Sequence, residues 1–66
     1  MEYFVKRTVN FGDFIAIDYV GKGHRSSVIP NHKGWSRRHF AENWLEEYGS
    51  SYFCGRKAEY EIIELK

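Results

Sequence analysis

Only one stretch of this chain carries a helical period. Phe40, Ala41, Trp44, Leu45 and Tyr48 recur at the spacing of a single helical face, with Ser36 before them as an N-cap of the favoured kind and Gly49 placed to end the helix in a left-handed conformation. The pattern predicts a helix over residues 37–48. The remaining apolar content lies in short runs rich in β-branched and aromatic residues, so the fold has one helix to cover whatever sheet those runs build.

Residues 2–9 form the first such run and residues 13–20 the second, separated by Asn10-Phe11-Gly12, which reads as a β-hairpin. A pairing of Val9 with Asp13 sets Tyr3, Val5 and Arg7 opposite Tyr19, Ile17 and Ile15 on the core face. It leaves Phe4, Phe14 and Val20 as the apolar members of a second face, a surface available to a partner or to a second copy in a homodimer. Gly21-Lys22-Gly23 is a turn signal. A direct run from there to the helix would make an uncommonly long connection, so a short third strand is expected around residues 25–29, ended by Pro30 and the turn chemistry of residues 31–34. The run 58–65 reads as a last strand, and Ile62 beside Ile63 suggests burial on both faces or a bulge.

The order β-β-β-α-β therefore describes an α+β fold, a small four-stranded sheet with one helix packed across one face. A right-handed crossover would lay the last strand parallel to the first. With 66 residues the chain has room for one domain, 1–66, and its 42% hydrophobic and 29% charged residues match a folded domain rather than a disordered one. Cys54 is the sole cysteine, which excludes an intramolecular disulfide and a thiolate zinc site and fits a reducing, cytoplasmic setting. The longest apolar run, Phe14 to Ile17, is too short to span a membrane, and Met1-Glu2-Tyr3-Phe4 has no signal-peptide character.

The formal net charge of +1 hides a partition. Residues 1–20 sum to −1 and residues 40–66 to −3, while residues 21–39 hold Lys22, Arg25, Lys33, Arg37 and Arg38 without an acid, together with all three histidines, His24, His32 and His39. The helix repeats the pattern against its own macrodipole, with Arg37, Arg38 and His39 at its start and Glu46 and Glu47 near its end, at about 0.3–1 kcal/mol per charge. Such a violation points to a surface selected for binding. The expected docking residues are Lys22, His24, Arg25, Lys33, Trp35, Arg37 and Arg38. Their chemistry suits an acidic protein surface or phosphate. The six glutamates of residues 40–66 and a near-neutral total set a protein partner ahead of nucleic acid, whose affinity rests on phosphate neutralisation. The histidines and Cys54 lack the short ligand spacings of metal sites, no nucleophile motif is present, and a sheet with one helix encloses little volume, so neither enzyme, metal nor cofactor is expected.

Three resemblances bear on function. Lys22-Gly23-His24 with Val28-Ile29-Pro30-Asn31-His32 is similar to the glycine-histidine and proline-histidine segments of mRNA-interferase toxins with a double-stranded-RNA-binding-like fold. That resemblance implies RNA cleavage with His24 as general acid or base, although the helix that opens those toxins has no counterpart here. Residues 33–38, then Ala41-Glu42 and Trp44-Leu45, are similar to the arm-type DNA-binding domains of phage integrases, from which the last strand departs. Size, aromatic richness and layout resemble the small accessory proteins that phages and mobile elements encode to bind and modulate or inhibit a host protein. This last resemblance implies a non-enzymatic interaction protein acting in a host cytoplasm.

Overall fold

A computed structural model describes residues 1–49, 52–53 and 55–65. The elements run β1 (Glu2–Asn10), β2 (Ile15–Val20), a 3-10 turn (Lys22–His24), β3 (Ser26–Ser27), α1 (Arg38–Tyr48), β4 (Tyr52–Phe53) and β5 (Arg56–Leu65). The fold is α+β, and the sheet has the order β3-β2-β1-β5-β4. The four strands expected from the sequence are all present. A two-residue strand, β4, is added to them between the helix and the last strand, and it pairs Tyr52 with Lys57 and Phe53 with Arg56. Cys54 lies outside the described residues.

The hairpin register differs from the expected one by three residues: Val9 faces Ala16, Arg7 faces Asp18 and Val5 faces Val20. Its loop is longer than Asn10-Phe11-Gly12. The Asn10 Oδ1 accepts the Gly12 N–H at 2.8 Å, Gly12 takes φ +92°, and the Phe11 N–H reaches the Phe14 carbonyl at 2.9 Å. The Phe11 and Phe14 rings stack at 5.0 Å across it. An odd shift turns every β2 side chain to the other face. Ile15, Ile17 and Tyr19 consequently leave the helix side, and Ala16, Asp18 and Val20 take their places.

The shifted register sets charge opposite charge. The Arg7 Nε donates to Asp18 Oδ1 at 2.9 Å, and a second bond joins Arg7 Nη2 to Asp18 Oδ2. The pair is mostly shielded. The hydrogen bond to Asp18 is the main cause of an Arg7 pKa raised above the usual guanidinium range, against a smaller opposing effect of burial.

The last strand is antiparallel to the first, not parallel, with Glu2 opposite Leu65 and Val9 opposite Ala58. After β3 the chain returns to the start of β1, where Tyr3 and Trp35 exchange backbone hydrogen bonds of 2.8 and 2.9 Å. From there α1 carries it back along the sheet, so β5 begins at the far end of β1. Val5 and Val20 pack against Ala41 of the helix, joined by Tyr3, Trp35, Trp44, Leu45, Tyr60 and Ile62. Ile62 opposes Val5 and Ile63 opposes Phe4 in an uninterrupted register, so the two neighbours serve opposite faces without a bulge. Full burial of Val5 contributes about 1.5–3 kcal/mol.

The second face is not the surface expected from Phe4, Phe14 and Val20. Phe4 is 0% exposed and Val20 2%, on opposite sides of the sheet, and only Phe14, at 61%, is open. Segment 31–34 covers Phe4: the His32 ring meets it edge-on at 5.2 Å. A Cβ on Gly34 would lie 2.8 Å from Phe4 Cε2 and 2.7 Å from the Tyr3 carbonyl, so the backbone there has no room for a side chain.

Candidate docking site

Two close backbone approaches build the site. Gly21 is buried, and a Cβ there would lie 3.1 Å from the His32 ring. This contact draws the start of the basic stretch onto its end, and the Lys22 N–H donates to the Lys33 carbonyl at 3.0 Å. Lys22 and Lys33, eleven residues apart in sequence, become neighbours. On the other side the Trp35 exchange with Tyr3 anchors the strand entering the helix, and the Gly34 N–H donates to Glu2 Oε1 at 3.0 Å.

The result is an open cleft of about 500 Å³ lined by Lys22, Lys33, Gly34, Trp35, Ser36 and Phe40. Two lysines and two aromatic residues share its lining, beside the start of α1. The helix N-cap is Arg37 in extended conformation rather than Ser36, and no side chain caps the first amides. Gly49 ends the helix with φ −75°, not in the left-handed region, and its N–H donates to the Leu45 carbonyl at 2.8 Å. The uncapped amides add partial positive charge beside Arg37, Arg38 and His39.

The expected third strand shrinks to Ser26–Ser27, because the chain turns at both ends. Ahead of it, Gly23 and His24 take φ +76° and +63°. That conformation, unusual for a residue with a side chain, is held by the helix: Trp44 Nε1–H donates to His24 Nδ1 at 2.9 Å, and the Tyr48 ring meets His24 edge-on at 4.4 Å. His24 thus lines a smaller cleft of about 250 Å³ that shares Trp35 and Phe40 with the larger one.

Of the seven expected residues, Lys22, Lys33 and Trp35 line the main cleft and His24 the adjoining one. Arg25, Arg37 and Arg38 are exposed but line neither. Arg38 turns along the helix to Glu42 at 3.3 Å. Gly34, Ser36 and Phe40 join the cleft from outside the expected set. Ser36 has the residue type of an N-cap and Phe40 the period of the helix's apolar face, yet Phe40 is 43% exposed. Acids also intrude: Glu2 on Gly34, Glu42 on Arg38 and Glu47 in the smaller cleft. Among the described residues no three His, Cys, Asp or Glu side chains gather as metal ligands. Among the described residues no helix is long and apolar enough to cross a membrane.

No protein-family model, curated protein or solved structure matches the chain.

Proposed function

We propose that the chain is a non-enzymatic interaction protein that binds an acidic segment of a partner protein in the Lys22–Lys33 cleft and modulates that partner. The carrying observation is the backbone bond from Lys22 to Lys33, which brings two cationic residues together in a cleft that Trp35 and Phe40 also line. A carboxylate between the ammonium groups gains charge-assisted hydrogen bonds, and an apolar neighbour on the same peptide rests on the aromatic floor. Glu2, Glu42 and Glu47 break the basic surface into a local site rather than a continuous track. Phosphate backbones need such a track, so the geometry favours protein over nucleic acid. Nucleic acid is the second reading, supported by the uncapped, arginine-flanked start of α1.

The test is an NMR titration of the 15N-labelled chain with a Glu- and Phe-containing acidic peptide and, separately, with a mixed-sequence oligonucleotide. The peptide is expected to shift amides of Lys22 and of residues 33–40, with the effect lost in Lys22→Glu with Lys33→Glu. Shifts scattered outside this region, or unchanged in the double variant, would overturn the reading. Tight oligonucleotide binding that weakens steeply with salt would replace it with the second one. Nuclease-treated capture from lysate, with the double variant as control, then identifies the partner.

A further inference from the structure

On the other side of the molecule, β2 carries an open edge. The bond from the Phe11 N–H to the Phe14 carbonyl continues the β1–β2 ladder, so Val9/Ala16 and Arg7/Asp18 are its hydrogen-bonded pairs. By the alternation of an antiparallel ladder, Ile15 and Ile17 turn their N–H and C=O groups away from β1. β3 pairs only with Tyr19 and Val20. Continuation of β3 would bring Ile29 alongside Ile17, but the chain leaves first: the Ile29 carbonyl accepts the Asn31 N–H at 2.9 Å, and its N–H faces Ser27 Oγ. The outward groups of Ile15 and Ile17 have no backbone partner among the described residues. Around them stand exposed apolar side chains: Phe14, Ile15, Ile17, Val28 and Ile29. Native folds usually blunt such an edge with charge or proline, and this one is not blunted.

We propose that a second copy of this chain pairs antiparallel with this edge, β2 against β2, to form a two-fold homodimer. Hydrogen bonds and charge both single out the second copy. Two free residues at alternate positions, Ile15 and Ile17, match those of an identical edge, Ile15 of each copy facing Ile17 of the other. That register puts Ala16 on the two-fold axis, where opposed side chains come closest and a small one fits. It brings no like charges together: the only charge on β2 is Asp18, and each Asp18 is held by its own Arg7. Phe14 of each copy arrives where Val28 and Ile29 of the other leave the strand, which covers those three side chains. The five apolar residues present on the order of 500 Å² per copy, at the low end for a specific interface. The dimer is accordingly expected to be of the weak, concentration-dependent kind that small interfaces form.

Sedimentation equilibrium of the full chain between about 5 µM and about 1 mM tests this. The mass is expected to rise from 7.9 kDa toward twice that value. Ile17→Lys is expected to weaken association at least tenfold. Ile17→Pro removes the outward N–H without removing a β1–β2 bond and should weaken it similarly, with circular dichroism confirming that each variant is folded. Lys22→Glu with Lys33→Glu should associate like the wild type, which keeps this result separate from the cleft. A single-chain mass at the highest concentration would overturn the proposal. So would association unchanged in both folded Ile17 variants, or loss of association in the cleft variant. Binding of an unrelated extended peptide to this edge by a chain that stays monomeric would assign the edge to another partner.

Discussion

His32 offers a sharp test of how the second face is held. Both its ring nitrogens are buried with no hydrogen-bond partner among the described residues, while its ring packs edge-on against Phe4 and beside Gly21. A neutral imidazole carries one donor and one acceptor, and a buried group left unsatisfied costs about 1–3 kcal/mol. His32→Leu keeps an apolar body over Phe4 and removes both polar groups. It loses the aromatic edge contact, about 0.5–1.5 kcal/mol. The balance is a stabilisation of about 1 kcal/mol, which for a domain of this size raises Tm by about 4–8 °C. His32→Ala also removes the polar groups but uncovers Phe4, and should fall about 2–3 kcal/mol below the leucine variant. Urea unfolding followed by far-UV circular dichroism, with equal m-values, measures both. A folded His32→Leu protein less stable than the wild type would refute the reasoning, because the nitrogens would then be making bonds worth more than their burial costs.

Other substitutions probe the remaining contacts. Gly34→Ala forces a Cβ against the Tyr3 carbonyl and the Phe4 ring; it should destabilise by about 1–3 kcal/mol in thermal melts and weaken peptide binding by displacing Lys33 and Trp35. Asp18→Ala leaves the shielded Arg7 without its carboxylate and should cost about 1–2 kcal/mol, more than Arg7→Met with Asp18→Ala together in a double-mutant cycle. The part of stability tied to the raised Arg7 pKa is fully present below the ordinary guanidinium range and is lost only as pH climbs through the raised value. It should therefore give no slope in a titration of stability around neutrality. His24→Ala keeps the left-handed backbone and loses the Trp44 bond, for a loss of about 1–2 kcal/mol, whereas His24→Gly relieves the backbone and should melt within about 0.5 kcal/mol of the wild type.

The single helix and the four main strands were legible because each rests on a local period or β-rich composition. Register was not, since it depends on where the loop closes. Asn10-Phe11-Gly12 looked complete as a connection, but Asn10 closes a turn that continues to Phe14. A clue lay in the charges. The assumed register faced Arg7 with an isoleucine, and a shift by three faces it with Asp18. The direction of the last strand was also out of reach, because it follows from the Tyr3–Trp35 pairing that returns the chain to the start of β1 before the helix begins. In the candidate site, the contiguous basic stretch located Lys22, Lys33 and Trp35. Their meeting depends on Gly21 and Gly34, whose missing side chains allow two loops to touch. Phe40 escaped notice because a helical period marks a face and cannot say which edge of that face the sheet fails to cover.

The pairing of β1 with β5 joins the two ends of the described chain, Glu2 to Leu65. A central strand synthesised ahead of the other described strands thus completes its hydrogen bonding only when β5 has emerged. Closing so long a loop has to precede any reward from the contact, which raises relative contact order and slows folding for a chain this short. A nascent chain halted before β5 would leave one hydrogen-bonding edge of β1 unpaired along its length. Native and incomplete chains should therefore differ as folded from unfolded, with no stable partial sheet between them.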